Sequence, residues 1–301
     1  MKGLYCYIIF FIVGSSTLFS QSGFNQFLKP SDSLHRTRRN SVVIAQTTVA
    51  TATLIGLNQL WYSDYPRSSF KTIDDSSEWL QMDKLGHVFS AYQLSSFGAS
   101  TLNWAGVREK NQLLYGSILS LGFLTAVEVM DGFSEEWGYS WTDMVANASG
   151  TGLYVGQELL WGEQRILLKY SFHRTQFAQQ RPDKLGNSLA EEFLKDYNGQ
   201  TYWLSANINS FLKIDGIPNW LNLAFGYGAD GMLTGGPNDP LFLNQNRTRQ
   251  YYLSLDIDLS RIKTNSNLLK TIFSVFNLIK VPFPTLELTS SGSVKAHYLY
   301  F

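Results

Sequence analysis

The first half of the chain has the spacing of apolar positions that is typical of α-helices. The run VVIAQTTVATATLIGLNQLWY, residues 42–62, is long and consists almost entirely of apolar or small residues. A loop rich in Ser and Asp follows and contains Pro66. Further helical patterns cover about 78–104, 109–130 and 142–161. The pattern therefore predicts about four helices between Ser41 and Trp161.

From Arg165 onward the apolar positions recur with a period of two. In QYYLSLDIDLS, residues 250–260, apolar side chains alternate with polar ones, as in an antiparallel strand with two unlike faces. Six segments read as strands: 166–173, 202–209, 220–228, 250–260, 285–291 and 294–301. The segment 266–284 is apolar on nearly all sides, which predicts a helix buried against the sheet or lying in lipid, ending before Pro282 and Pro284.

These patterns together predict an α+β protein. An N-terminal bundle of about four helices precedes an antiparallel β-sheet or partial barrel of about six strands. The expected divisions are a signal peptide at 1–20, a helical domain at 21–163, and an antiparallel β domain with one apolar helix at 164–301.

The strand alternation is compatible with two environments. Polar residues inside and apolar residues outside are typical of bacterial outer-membrane barrels, although single-chain barrels usually begin at eight strands. A soluble sheet covered on one face by the helices predicts the same alternation. The helices likewise fit either a compact bundle or helices lying in or near a membrane.

The N-terminus resembles a secretory signal peptide. Lys2 precedes the apolar run LYCYIIFFIVG and the small polar stretch SSTLFSQS, which predicts cleavage near Ser20–Gln21. The apolar core is shorter than the ~20 residues of a membrane-spanning helix, so we expect removal rather than anchoring. Cys6 is the only cysteine and lies inside this run, so it is misplaced for lipid attachment at the cleavage point.

Composition narrows the choice of partners. The chain has 24 basic and 24 acidic residues, and no Lys- or Arg-rich face, which argues against nucleic acid as a partner. Aromatic residues make up 15% and charged residues 16%, a balance found in membrane-associated proteins. Membrane or envelope lipid is the expected partner.

Three predicted helices each carry a pair of polar side chains. The pairs are Asp83 with His87, Glu128 with Asp131, and Asp143 with Asn147. Residues at such spacing share one helix face. Glu128 follows a dozen uncharged residues. Burying a carboxylate without a partner costs roughly several kcal/mol of desolvation free energy. Ser140 is placed to cap the last helix. We therefore expect the pairs to converge into one buried His/carboxylate network.

The ordered motifs D-K-x-x-H, E-x-x-D and S-x-x-D-x-x-x-N-x-x-G resemble those of YfiM-like predicted periplasmic lipoproteins, a family of unknown function known as domain of unknown function 2279. They are more distantly similar to those of VanZ-like envelope proteins. The resemblance spans about residues 80–156 and implies an exported cell-envelope protein, in the outer membrane or periplasm or alternatively the inner membrane. The matching residues are Asp83, Lys84, His87, Glu128, Asp131, Ser140, Asp143, Asn147 and Gly150.

Three functions remain open from the sequence. The first is a structural or lipid-associated component whose helices are pinned by the network. The second is a metal- or acid/base-dependent hydrolase or transferase acting on an envelope lipid or cell-wall precursor. The third is a small outer-membrane pore. The catalytic candidates are His87, Glu128 and Asp143. No cofactor is predicted from a motif, but Asp83, His87, Glu128 and Asp131 are candidate ligands of a divalent metal.

Overall fold

The computed structural model describes residues 21–62, 65–237 and 245–301. The expected signal peptide at 1–20 lies outside these residues. The N-terminal half contains five helices: α1 (Gln21–Phe27), α2 (Arg36–Leu57), α3 (Met82–Trp104), α4 (Glu109–Gly132) and α5 (Trp141–Trp161). The last four correspond to the four predicted helices.

Local chemistry fixes several helix ends. The Ser140 side chain caps α5 by accepting a hydrogen bond from the Asp143 backbone N–H at 3.1 Å. At the other end of α5, Gly162 adopts a left-handed φ of 66° and donates its N–H to the Glu158 carbonyl. The predicted cap at Ser140 is confirmed.

Helix α3 is the centre of the bundle and packs against both α4 and α5. Small residues allow this close approach, because a Cβ on Gly98 would lie 2.8 Å from the Cα of Gly116 on α4. A core of Tyr92, Ala99, Leu113 and Tyr154 fills the contact and continues to Leu168 of the sheet.

A short parallel pair of strands, which the sequence patterns did not predict, ties the loop before α3 to the start of α5. Strand β1 (Thr72–Ile73) pairs with β2 (Tyr139–Ser140). Two residues per strand are too few to leave a periodic signal. The pair brings the segment that contains Asp75 beside Ser140.

The second half forms a six-stranded antiparallel meander in chain order, with β3 (Ile166–Phe172), β4 (Gln200–Asn207), β5 (Leu221–Asp230), β6 (Thr248–Ile257), β7 (Phe283–Thr289) and β8 (Val294–Tyr300). Among the described residues β3 and β8 are not paired, so the sheet is open. The predicted α+β class and the six strands are confirmed.

The sheet buries its polar face. We call polar face the side that carries Lys169, Ser205, Asn222, Asp256 and Glu287, all of them buried. The sheet curls over this face, since Tyr300 of β8 lies 6.1 Å, between ring centroids, from Trp203 of β4. An ion pair between Lys169 of β3 and Asp256 of β6, 2.8 Å long, closes the same interior.

The opposite side, which we call the apolar face, is largely exposed. The helical half covers it along β3 and at one end of β4, where Phe89 of α3 contacts Tyr170 and Tyr202 and where Tyr92 packs near Leu168. Elsewhere large apolar side chains reach the surface at alternate positions, and they are Leu204, Phe225, Tyr251, Leu253, Leu255, Leu286, Leu288, Val294 and Tyr298. The described sheet is thus polar on its buried side and apolar on its exposed side.

The C-terminal half contains more helix than expected. The predicted apolar helix is present as α10 (Asn267–Phe276), but it buries none of its residues, so the alternative of burial against the sheet is wrong. Four short helices were missed: α6 (Phe177–Gln180), α7 (Pro182–Leu185), α8 (Leu189–Lys195) and α9 (Ile208–Leu212). Segments of four to seven residues give no helical period, and local caps such as Ser188 and Asn207 define α8 and α9.

Candidate functional site

The site begins at the amino end of α3, where the backbone makes an unusual turn. Trp79, Leu80 and Gln81 have positive φ values of 46°, 51° and 66°. This conformation costs about 1 to 2 kcal/mol for each residue other than glycine. These left-handed residues direct the start of α3, which carries Asp83 and Lys84, towards the helix bundle.

The β half holds this turn in place. The hydroxyl of Tyr227 donates to the Leu80 carbonyl at 2.5 Å, and Arg249 donates to the Gln81 side-chain oxygen at 2.7 Å. The backbone N–H of Trp79 donates to the Gly235 carbonyl at 2.8 Å. Contacts from the second half therefore offset the backbone strain next to the site.

Lys84 is the positive centre of the site. Its Nζ lies 2.6 Å from Asp75, 3.0 Å from Asp83 and 2.7 Å from Asp143. The contact with Asp143 Oδ1 is an ion contact rather than a well-aligned hydrogen bond. Burial works against the charged amine, but the surrounding carboxylates raise the pKa of Lys84 above its usual range. Lys84 thus joins the loop before α3, α3 itself and α5.

His87 lies one turn farther along α3. Its Nδ1 is 3.0 Å from Oδ1 of Asn147 on α5. With the Asn147 amide in this orientation its oxygen can only accept, so the contact pairs with a proton on Nδ1. The other ring nitrogen, Nε2, faces carboxylate oxygens of Glu128 at 3.6 Å, Asp143 at 3.8 Å and Asp83 at 3.9 Å.

Glu128 enters this group from α4 and is 1% exposed. Its Oε2 accepts the Ser140 backbone N–H at 3.3 Å, whereas its Oε1 has no hydrogen-bond partner among the described residues. Burial raises the pKa of Glu128 to about 8, because the nearby carboxylates of Asp143 and Asp131 add to desolvation and outweigh the imidazole of His87.

Asp131 occupies the edge of the cluster. It accepts a 2.7 Å hydrogen bond from the hydroxyl of Tyr62 and is not among the described carboxylates within 4.0 Å of the His87 ring nitrogens. Burial raises the pKa of Asp131 to about 7 in spite of this hydrogen bond. Asp131 is therefore a neighbour of the candidate ligand atoms rather than one of them.

The pKa values of the remaining acidic groups shift in opposite directions, upward for Asp143 and downward for Asp75 and Asp83. Burial, followed by the charge of Asp83, raises the pKa of Asp143 to about 6. Burial also disfavours the charged form of Asp75, but hydrogen bonds from Lys84 and Ser140 outweigh it and hold its pKa at about 2. For Asp83, the charges of His87 and Lys84 overcome burial and lower the pKa.

Gly150 has a packing role beneath the polar groups. A Cβ at this position would lie 2.1 Å from the carbonyl oxygen of Val88 on α3. The missing side chain lets α5 approach α3 closely enough for Asn147 to reach His87.

A cavity of about 310 Å³ lies between the two halves and meets the cluster at Asp83 and His87. Its other walls are mostly aromatic or aliphatic, with Phe89 from α3 and Tyr170 and Tyr202 from the sheet. The hydroxyl of Tyr197, which follows α8, donates to Asp83 at 2.7 Å. The β half thus supplies one polar contact and much of the apolar wall.

The structure brings most of the predicted network together. Asp83, Lys84, His87, Glu128, Ser140, Asp143 and Asn147 form one connected group, with Asp131 at its edge. Sequence reasoning missed Asp75, Tyr62, Tyr197 and also Thr142, whose hydroxyl donates to Asp75 at 2.8 Å. Asp75 stood in a polar loop, and Tyr197 lies more than a hundred residues from its partner, so neither had a local signal.

A known protein family covers the helices that carry this site. Residues 73–157 match the family described as predicted periplasmic lipoprotein (DUF2279). The resemblance drawn from the motifs is confirmed over this range, while the likeness to VanZ-like proteins stays a prediction. The DUF2279 region contains every network residue on α3, α4 and α5, and it ends before the sheet. No curated protein and no solved structure matches the chain.

The family description agrees with the expected exported, cell-envelope location and with membrane association. It assigns no activity. The DUF2279 region holds less than a third of the chain, so the sheet and the Tyr197 contact lie outside the matched range.

Proposed function

We propose that the protein is an envelope component that attaches to membrane lipid through the apolar face of its sheet, while the buried network pins the helices of the DUF2279 region. The observation that carries this proposal is the inverted sheet, which buries charged side chains such as Lys169 and Asp256 and exposes large apolar ones. A water-soluble sheet has the opposite preference.

The extent of the exposed apolar surface favours lipid as its occupant. Soluble monomers rarely expose contiguous apolar patches larger than a few hundred Å², by rough survey thresholds, and larger ones mark membrane or protein contacts. Here the apolar side chains recur across β4–β8, and α10 adds Leu268, Leu269, Ile272, Val275 and Phe276. Exposed apolar side chains lie on both the sheet and a separate helix. Membrane lipid can cover both surfaces, whereas a protein partner would need a shape that fits the two together.

Two helices add to this picture by length and composition. Helices α2 and α4 are apolar enough to cross a membrane, and 6% and 28% of their apolar windows are buried. In the structure α4 is a bundle helix packed against α3, so these properties support association with a membrane without defining a span.

The proposed attachment to the membrane through the apolar face differs from attachment by a lipid bound covalently to a cysteine of the folded region. The family description names lipoproteins, yet residues 7–301 contain no cysteine. A thioether-linked lipid therefore has no attachment point in the described part of the chain. The apolar face supplies an attachment that needs no thiol.

Vesicle flotation tests this proposal. Leu253 and Leu286 are opposite each other on β6 and β7, and both are exposed on the apolar face. We expect Leu253→Asp with Leu286→Asp to reduce flotation with phosphatidylethanolamine/phosphatidylglycerol vesicles at least several-fold, because two charges would enter hydrocarbon. Ser291→Asp adds a charge in the exposed turn after β7 and should float like the wild type.

The proposal fails if the double variant floats as well as the wild type, or if the wild type stays with the soluble fraction as a discrete oligomer. The second result would assign the apolar face to contacts between copies of the chain.

The cavity favours a second candidate function, a hydrolase or transferase acting on an envelope lipid or cell-wall precursor. Its aromatic walls suit an apolar chain, and Asp83 and His87 at one end suit acid/base or metal-assisted chemistry. In that case His87→Ala would abolish turnover of a fluorescent short-chain phospholipid while the thermal midpoint stays near that of the wild type. A purely structural network predicts that the midpoint and cellular abundance fall together.

The third sequence-based interpretation, a small pore, gains no support from the polar face. Side chains such as Trp203 and Tyr252 fill the interior of the curled sheet.

A further inference from the structure

We propose that Asp83, His87, Glu128 and Asp143 bind a divalent metal ion of the Mn²⁺ or Zn²⁺ class. This inference goes beyond the proposed lipid attachment, which requires no ion and concerns a different surface of the molecule.

The spacing of the candidate ligand atoms fits such an ion. Nε2 of His87 lies 3.6 to 3.9 Å from one oxygen each of Glu128, Asp143 and Asp83. The candidate atoms of Asp83, His87 and Asp143 all lie within 4.8 Å of one another. Ligands about 2.0 to 2.2 Å from a zinc-sized ion are roughly 3.3 to 3.6 Å apart in a tetrahedron, so these three atoms would draw closer by up to about 1 Å on binding. Glu128 lies outside this group of three and would complete the site from the His87 side.

The imidazole is already oriented as a metal ligand. With Nδ1 directed at the Asn147 oxygen, Nε2 is the ring nitrogen that faces the carboxylates and would bind an ion placed among them. Metal-binding histidines usually donate their other N–H to an oxygen in this way. The distances of 3.6 Å and more from Nε2 are too long for direct hydrogen bonds.

Glu128 provides an observation that is independent of this histidine geometry. It is 1% exposed, and its Oε1 faces His87 without a hydrogen-bond partner among the described residues. An orphan carboxylate oxygen at this depth is costly unless a cation or proton satisfies it. A metal ion between Glu128 and His87 would do so.

Charge balance points in the same direction. Five carboxyl groups, those of Asp75, Asp83, Glu128, Asp131 and Asp143, surround one lysine and one histidine. A network that serves only to hold helices together is expected to balance its buried charges. When all five are ionised, the carboxylates outnumber the lysine and histidine together, and a divalent cation would offset part of this excess.

Lys84 does not occupy the candidate site. It contacts Asp83 through Oδ2, whereas Oδ1 of Asp83 faces His87. Only Asp143 Oδ1 is shared between Lys84 and the His87 side. Lys84 therefore neutralises the outer part of the cluster and orients two of the candidate ligands.

The cavity gives an ion access from outside. Asp83 and His87 form part of its wall, whereas Glu128 and Asp143 lie deeper. The donor set also limits the ion, because three carboxylates suit Mn²⁺ or Mg²⁺ and an imidazole suits Zn²⁺, while affinity for such sites rises from Mn²⁺ towards Zn²⁺. We expect Mn²⁺ and Zn²⁺ to bind more tightly than Mg²⁺.

Metal content and metal titration of the full chain in detergent test the proposal. We expect the wild type to retain close to one equivalent of Mn²⁺ or Zn²⁺ after dialysis, and Co²⁺ to give a ligand-field spectrum in the visible range. His87→Ala and Glu128→Gln should each weaken binding at least 10-fold. Asn147→Leu should weaken it about 10- to 100-fold through the orientation of His87.

Asp256→Asn is the matched control, because it neutralises a buried carboxylate of the sheet that lies outside the cluster. It should leave metal binding unchanged. The proposal is overturned if the wild type takes up no stoichiometric ion, or if Glu128→Gln and His87→Ala bind as tightly as the control. If a variant does not fold, the wild-type Co²⁺ spectrum and a metal-dependent rise in the thermal midpoint decide the matter.

Discussion

Lys84 shows how one side chain can determine the stability of a whole cluster. It is mostly buried and lies within 3.0 Å of carboxylate oxygens from Asp75, Asp83 and Asp143. Each of these acids belongs to a different part of the helical half. Removing the amine would leave them repelling one another in a place with little water.

We expect Lys84→Met to lower the free energy of unfolding by about 3 to 5 kcal/mol, the usual cost of breaking a buried ion pair from one side. Lys110 lies exposed on α4, and Lys110→Met should stay within about 0.5 kcal/mol of the wild type. Denaturant unfolding in detergent with excess chelator measures both. Equal losses in the two variants would contradict the central role of Lys84.

Glu128 should give the protein a characteristic pH dependence in the absence of metal. Its pKa rises from 4.5 to about 8 on folding, so the folded state holds this proton more tightly than the unfolded state. Its contribution is therefore complete below about pH 4.5 and is lost as the pH rises through about 8. Glu128→Gln stays neutral throughout this range.

Thermal midpoints measured between about pH 5 and pH 8.5 in chelator should consequently fall more steeply in the wild type than in Glu128→Gln. The difference between the two profiles isolates Glu128 from other titrating groups. Parallel profiles would show that Glu128 titrates normally in the folded protein.

The sequence predicted most of the cluster at this scale, because helical spacing puts Asp83 with His87 and Asp143 with Asn147 on common faces. An unpaired Glu128 in an apolar helix also required partners. Asp75 and Tyr197 could not be predicted in the same way, since their positions depend on a two-residue strand pair and on the docking of the β half.

At the scale of elements, the approach of α5 to α3 controls whether the polar pairs meet. Gly150 is the contact point, with Val88 and Ala91 directly opposite. Gly152, two residues later, has nothing within 4 Å of a Cβ. Close approach of the two helices is therefore found at Gly150 and not at Gly152.

Gly150→Ala should destabilise the protein by about 1 to 3 kcal/mol, because the methyl group would force the two helices apart. Gly152→Ala should be neutral or stabilising by up to about 1 kcal/mol, since alanine lowers the conformational entropy of the unfolded chain. Thermal unfolding of the two variants side by side tests this contrast. A similar loss in both would show that helix packing at Gly150 is looser than the structure indicates.

Elements of regular period were predictable, and short ones were not. Helices α2–α5 and strands β3–β8 carry clear patterns over seven or more residues. Helices α6–α9 depend on single caps and on tertiary contacts. The sequence could not decide whether α10 is buried or exposed, because an apolar helix has the same pattern whether protein or lipid covers it.

At the scale of the whole molecule, the two halves are joined through many specific contacts. Gln93 of α3 donates to the Leu168 carbonyl of β3 at 2.7 Å, and Tyr227 and Arg249 hold the turn before α3. The expected division at 163/164 stays a prediction, but these contacts indicate that the halves stabilise each other.

Hydrogen exchange should reveal this coupling. We expect Tyr227→Phe with Arg249→Ala to speed exchange in peptides covering the start of α3, because both removed groups hold the left-handed turn. Lys295→Ala, an exposed change on β8, is the control and should leave those peptides unaffected. Unchanged exchange in the double variant would mean that the turn is stable without the sheet.

The left-handed turn at Trp79–Gln81 also bears on the order in which the protein matures. The motif residues of α3 are synthesised well before Tyr227 and Arg249, which hydrogen-bond to the turn, and before Tyr197, which hydrogen-bonds to Asp83. The buried polar cluster is therefore incomplete during synthesis. A nascent or truncated chain that ends before β6 lacks the hydrogen bond from Arg249 that holds the turn before α3.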